Sequence, residues 1–103
     1  MNSFSFFFSP DQVYQLSLKA LEKRRFELVH YDVNSGVINA KQKKTWIKPE
    51  VDLQIQISSV SEHQTKVNVL SKVKKNWLSV SGEDHVEQQF FETLFSCFDN
   101  IDS

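Results

Sequence analysis

The sequence predicts an α+β fold: a two-layer domain with a four- to five-stranded antiparallel sheet and two helices on one of its faces. Three observations carry this. Val51, Leu53, Ile55 and Ile57 alternate with Asp52, Gln54, Gln56 and Ser58, the period of a strand with one buried face. Two other segments, near residues 10–23 and 83–101, repeat their apolar residues at helical spacing. The whole 103-residue chain holds only two Gly and two Pro, too few for a loop-rich or disordered polymer.

From the start of the chain, Phe4, Phe6 and Phe8 alternate with Ser3, Ser5 and Phe7, which reads as a short strand with one greasy face. Ser9-Pro10-Asp11-Gln12 then opens a helix. Ser9 can cap, Pro10 suits the first helical position, Gln12 completes a capping box and Asp11 favours the positive end of the dipole. Val13, Tyr14, Leu16, Leu18, Ala20 and Leu21 form its apolar stripe, and Lys23, Arg24 and Arg25 stand at its end. Phe26 to Val33 is strand-like, and Asn34-Ser35-Gly36 gives a tight turn with Gly where a positive φ is easiest. The partner strand runs from Val37 to about Thr45, with Pro49 beyond it. After the alternating strand at 51–57, a polar turn at Ser61-Glu62-His63-Gln64 leads to Thr65, Val67 and Val69 facing in and Lys66, Asn68 and Lys72 facing out. Val73 to Gly82 reads either as a strand or as an ordered loop. Ser81 is placed to cap the last helix, whose stripe is Val86, Phe90, Phe91, Leu94, Cys97, Phe98 and Ile101.

The expected order is β-α-β-β-β-β-α in a single domain over residues 1–103. Four consecutive strands with short turns pair as a meander, and both helix stripes must cover its one apolar face.

Twelve basic and 13 acidic side chains give a net charge of −1, so no global field recruits nucleic acid or an anionic membrane. A single cysteine, Cys97, excludes an internal disulfide framework. The first ten residues lack a basic region and a small-residue cleavage site, and no apolar run approaches the roughly 20 residues that span a bilayer. The expected location is the cytoplasm, with no membrane span.

Four groups of residues are candidates for function. Phe90, Phe91, Leu94 and Phe98, with Phe95, give the last helix an aromatic density that either fills the interlayer space or walls a small apolar ligand against the sheet. Glu87 falls in the same sector near the helix start, where a carboxylate at a solvated rim is expected. Lys41, Lys43 and Lys66 share the exposed sheet face, with Trp46 and Trp77 interleaved among further lysines. Basic and aromatic side chains together can hold single-stranded nucleic acid, but exposed sheets carry lysine for solubility too, and the balanced charge argues against that partner. His30 and Asp32 share a strand face, so an oriented histidine is geometrically possible. Phe7, aimed away from Phe6 and Phe8, is an exposed ring on a strand that could pair with its copy. Metal-binding spacings, phosphate-cradling glycine loops and nucleophile motifs are absent from the sequence, so neither a cofactor nor catalysis is expected.

The segments Val13-Tyr14, Lys19-Ala20-Leu21, Phe26-Glu27-Leu28, Asp32, Gly36-Val37-Ile38-Asn39-Ala40 and the closing Gln89-Phe90-Phe91-Glu92-Thr93-Leu94 resemble small bacterial α+β domains of envelope lipoproteins and related stand-alone proteins. That resemblance implies a binding or assembly role and transfers no catalytic residue. The function expected is a non-enzymatic protein-binding or self-associating module, with a small apolar-ligand carrier as the alternative.

Overall fold

The strand that anchored the sequence reading forms the middle of the sheet. A computed structural model of the chain describes residues 2–43, 50–73 and 83–99. Within them the order is β1 (Asn2–Phe6), α1 (Pro10–Lys23), β2 (Glu27–Asp32), β3 (Val37–Gln42), β4 (Val51–Ser61), β5 (Gln64–Val73) and α2 (Glu83–Asp99). The five strands lie in the order β1-β5-β4-β3-β2, every pair antiparallel. β2 to β5 are the expected meander, and β1 adds to the free side of β5.

Alternation decides which face is covered. Val51, Leu53, Ile55 and Ile57 are buried, and Asp52, Gln54, Gln56 and Ser58 are exposed. Register carries the same face across the sheet through Ile38 and Ala40 on β3, Val67 and Val69 on β5, and Phe6 on β1. Val13, Tyr14, Ala20 and Leu21 of α1 and Phe90, Phe91, Leu94, Cys97 and Phe98 of α2 complete one core. Burying each of the larger aliphatic and phenylalanine side chains contributes roughly 1.5–3 kcal/mol.

Helix α1 starts and stops by local chemistry. The Gln12 backbone N–H donates to the Ser9 hydroxyl at 3.3 Å, and Pro10 occupies the first turn. At the other end Arg25 takes φ 63°, the Arg25 N–H donates to Glu22 O at 3.0 Å and the Phe26 N–H to Leu21 O at 2.9 Å. These bonds are those of a Schellman cap, with arginine where glycine is usual. Phe26 therefore belongs to the helix exit and packs back on the core, so β2 begins at Glu27 and not at Phe26 as the composition suggested.

The buried stripe of α1 includes one polar residue. Ser17 lies on the buried line with Val13, Tyr14, Ala20 and Leu21, while Leu16 and Leu18 are only half-buried at its margins. The Ser17 hydroxyl is buried with no hydrogen-bond partner among the described residues.

The β2–β3 connection confirms the glycine reading. Gly36 has φ 72°, and a Cβ there would collide with the carbonyl oxygen of Ile57. That proximity is structural, since the Ile57 N–H donates to Gly36 O at 2.8 Å and the Gln56 amide donates to Ser35 O at 2.8 Å. The described part of β3 ends at Gln42. Thr45, Pro49, Trp46, Trp77, the Ser81 cap, Ile101 and the stretch from 74 to 82 lie outside the described residues.

Candidate functional site

Strand and helix spacings mesh where β1 meets α2. Alternate residues of a strand stand about 6.6 Å apart, and successive turns of a helix about 5.4 Å. Phe4, Phe6 and Phe8 can therefore interleave with Phe91, Phe95 and Phe98. Phe4 meets Phe91 edge-on at 4.5 Å and Phe95 at 5.4 Å, while Phe98 stacks on Phe6 at 4.8 Å and on Phe8 at 4.5 Å. Phe90, Phe91 and Leu94 are fully buried and Phe98 nearly so. The phenylalanines considered as a ligand wall pack ring against ring, with Leu94 buried among them, and their geometry is that of core filling. The seam is open on its outer side, where Phe4 is 45% and Phe95 40% exposed.

Glu87 is not at a rim. It is 1% exposed, seated where the inner sheet face turns polar. Ser71 continues the inward series Thr65, Val67, Val69, and Asn2 begins the inward series of β1. Glu87 Oε2 accepts from the Ser71 N–H at 2.9 Å and the Ser71 hydroxyl at 2.8 Å, and its Oε1 accepts from the Asn2 side-chain amide at 2.9 Å. A solvated carboxylate was expected because α2 starts nearby, but three donors on two strands hold the group inside.

The two edges of the sheet differ. β1 pairs with β5 alone among the described strands. Its residues Asn2 to Phe6 carry no charge, proline or bulge. Immediately after it, Phe7 is 80% exposed. β2, at the opposite edge, is exposed along its whole length. Its register slips between Leu28 and His30, and it carries Glu27, His30 and Asp32. Leu28, Val29, Tyr31 and Val33 are all exposed apolar or aromatic residues there.

The remaining candidates are dispersed. Lys41 and Lys66 share the outer face, but Lys41 is level with Asp52 of β4 and Lys66 with Ser58. Six residues of strand separate those levels, about 20 Å. Lys41 also lies in a cross-strand row that reads Lys72, Asp52, Lys41, Glu27, so charge alternates across the sheet. Lys43 Nζ lies 3.4 Å from Glu27 Oε1. The expected lysine group is thus an interspersed, near-neutral surface.

His30 and Asp32 do fall on one face, opposite Asn39 and Val37. Asp32 Oδ1, however, accepts the Asn34 N–H at 3.0 Å, so this carboxylate shapes the turn. Tyr14 is buried beneath that turn, its hydroxyl 3.5 Å from Val37 O. Burial first, then the charge of Asp32 and the neighbouring Tyr31, push its phenol above the ordinary value of 10.0. Cys97 is buried in the core as a small apolar group. No helix among the described residues is long and apolar enough to cross a membrane.

The sequence matches no protein-family model and no curated protein. Solved structures do share the architecture. The adenylate sensor from AMP-activated protein kinase, in complex with 5-aminoimidazole-4-carboxamide ribofuranotide, superposes with a TM-score of 0.68 at 16% identity, over 90% of this chain and 94% of that one. The di-domain ARO/CYC StfQ from the steffimycin biosynthetic pathway gives 0.66 at 11% identity, over 93% of this chain and 42% of that one. At such identities these are likenesses of fold alone.

Proposed function

We propose that the chain is a non-enzymatic assembly module of the cytoplasm, whose β1 edge and adjoining phenylalanines receive a second copy of the same chain. One observation carries this: of two sheet edges, only β1 lacks the features that prevent strand pairing. Among the described residues its backbone has no strand partner on one side, it carries no charge and no bulge, and a partly bare aromatic seam lies beside it.

The chemistry favours self-pairing over pairing at β2. In a two-fold antiparallel pairing centred on Phe4, Ser3 faces Ser5 of the second copy, and Phe4 and Phe95 meet their counterparts without opposing any charges. The same operation on β2 sets Glu27 against Asp32 of the second copy, and like charges directly opposite are destabilising. The likeness of fold to a ligand-binding sensor is compatible with a binding role and carries no information about the ligand.

The test is sedimentation or native mass spectrometry across about 1–500 µM, a range that brackets micromolar association. A concentration-dependent dimer is expected. The double variant Ser3→Lys, Ser5→Lys, which leaves the core untouched, should be monomeric. A wild-type protein that stays monomeric throughout, or a double variant that dimerises equally well, overturns the proposal.

A further inference from the structure

The C-terminal end of α1 opens into a recess of about 420 Å³ lined by Lys23, Arg24, Arg25, Phe26, Gln42, Val86 and Gln89. Three consecutive cationic residues line it, and its described lining includes no acidic residue. Basic residues at a helix end commonly serve the last carbonyl groups. Here that task is done by other donors. Leu21 O and Glu22 O accept from the Phe26 and Arg25 N–H groups, and Arg24 O accepts from the Gln42 amide at 2.9 Å. The nearest acidic residues in sequence are otherwise disposed. Glu27 pairs with Lys43, and Glu22 lines a separate groove with Lys19 and Leu28. None of Lys23, Arg24 and Arg25 forms an ion pair with a described residue.

Arg25 adds an independent sign. Its φ of 63° is a conformation that glycine adopts freely and other L-residues reach only against steric strain between Cβ and the backbone. A strained arginine where glycine would be more stable suggests that the side chain has a use.

The geometry points to a binding site for a small phosphomonoester. The two guanidinium groups match phosphate oxygens in paired hydrogen bonds, and Lys23 contributes a compact charge. Phe26 and Val86 supply an apolar wall for the organic part. The volume lies within the range of small-molecule sites, roughly 300–1,000 Å³. This site is separate from the β1 edge and stands whether or not the chain self-associates.

Phenyl phosphate is the probe, titrated at low salt by calorimetry and by amide chemical shifts. Saturable binding at about millimolar concentration or tighter is expected, with shifts centred on residues 23–26, 42 and 86–89. Arg24→Gln with Arg25→Gln should weaken it at least about tenfold, a loss near 1.4 kcal/mol, and Lys66→Gln should leave it unchanged. Arg25→Gly separates function from structure, because it should raise the melting temperature while weakening binding. Absence of saturation, shifts spread evenly over all lysines, or undiminished binding by the double variant overturns the site. So does arginine-dependent binding to phosphatidylglycerol vesicles with none to phenyl phosphate, which would make the recess a membrane contact.

Discussion

Glu87 and Ser71 are joined twice, because one carboxyl oxygen of Glu87 accepts both the backbone N–H and the hydroxyl of Ser71. With the Asn2 amide on its other oxygen, Glu87 ties α2 to β5 and β1 at a polar seat of the inner sheet face. Removing one member of a buried polar group costs more than the bond itself, because donors are left without acceptors. Glu87→Ala should therefore destabilise the fold by about 2–4 kcal/mol in urea unfolding, since neutral donors on two strands lose their acceptor. Ser71→Ala, which keeps the backbone donor, should cost about 1 kcal/mol.

Gly36 permits two things at once, a positive φ and the approach of Ile57 O. Alanine there must strain the backbone and push β4 from the turn. Gly36→Ala should lower stability by about 3 kcal/mol, with the largest amide shift changes at Gln56 and Ile57.

Ser17 offers the opposite case. Its hydroxyl is buried without a partner among the described residues, so its desolvation is uncompensated. Ser17→Ala removes the polar atom and raises helix propensity. A gain of about 1 kcal/mol in the urea-unfolding free energy is the expected result, and a loss would show that the hydroxyl is satisfied in solution.

Tyr14 gives stability a dependence on alkaline pH. Its folded-state phenol is raised above 10.0 by burial and then by Asp32 and Tyr31. The unfolded chain therefore loses this proton first as pH rises. Its contribution is full below pH 10.0 and is lost above that value at about 1.4 kcal/mol per pH unit, until the folded phenol ionises too. Urea midpoints measured between about pH 9 and 11 should fall less steeply in Tyr14→Phe than in the parent.

Period and capping made most of the architecture legible. The alternation at 51–57 fixed the inward face of the sheet, and Ser9-Pro10 marked a helix start that the Ser9 hydroxyl does cap. The site was less legible for a physical reason. On its own helix Glu87 looks like a rim residue, whereas its burial is decided by polar residues at inward positions of two strands distant in sequence, Ser71 and Asn2. Those positions could have been found by extending the alternation of β1 and β5 by one step. The lysines form a group only while face is considered without register, and register separates Lys41 from Lys66. The exit of α1 misled for another reason: arginine in a left-handed cap gives no compositional sign, as glycine would.

The slipped register in β2 has a bearing on how large any complex can become. A sheet with two open margins can recruit copies indefinitely and make fibres. Among its described strands this one has a single inviting margin, since the register of the other slips between Leu28 and His30 and carboxylates border it. Two copies joined through β1 would turn both slipped margins outward, and the union would close at a pair.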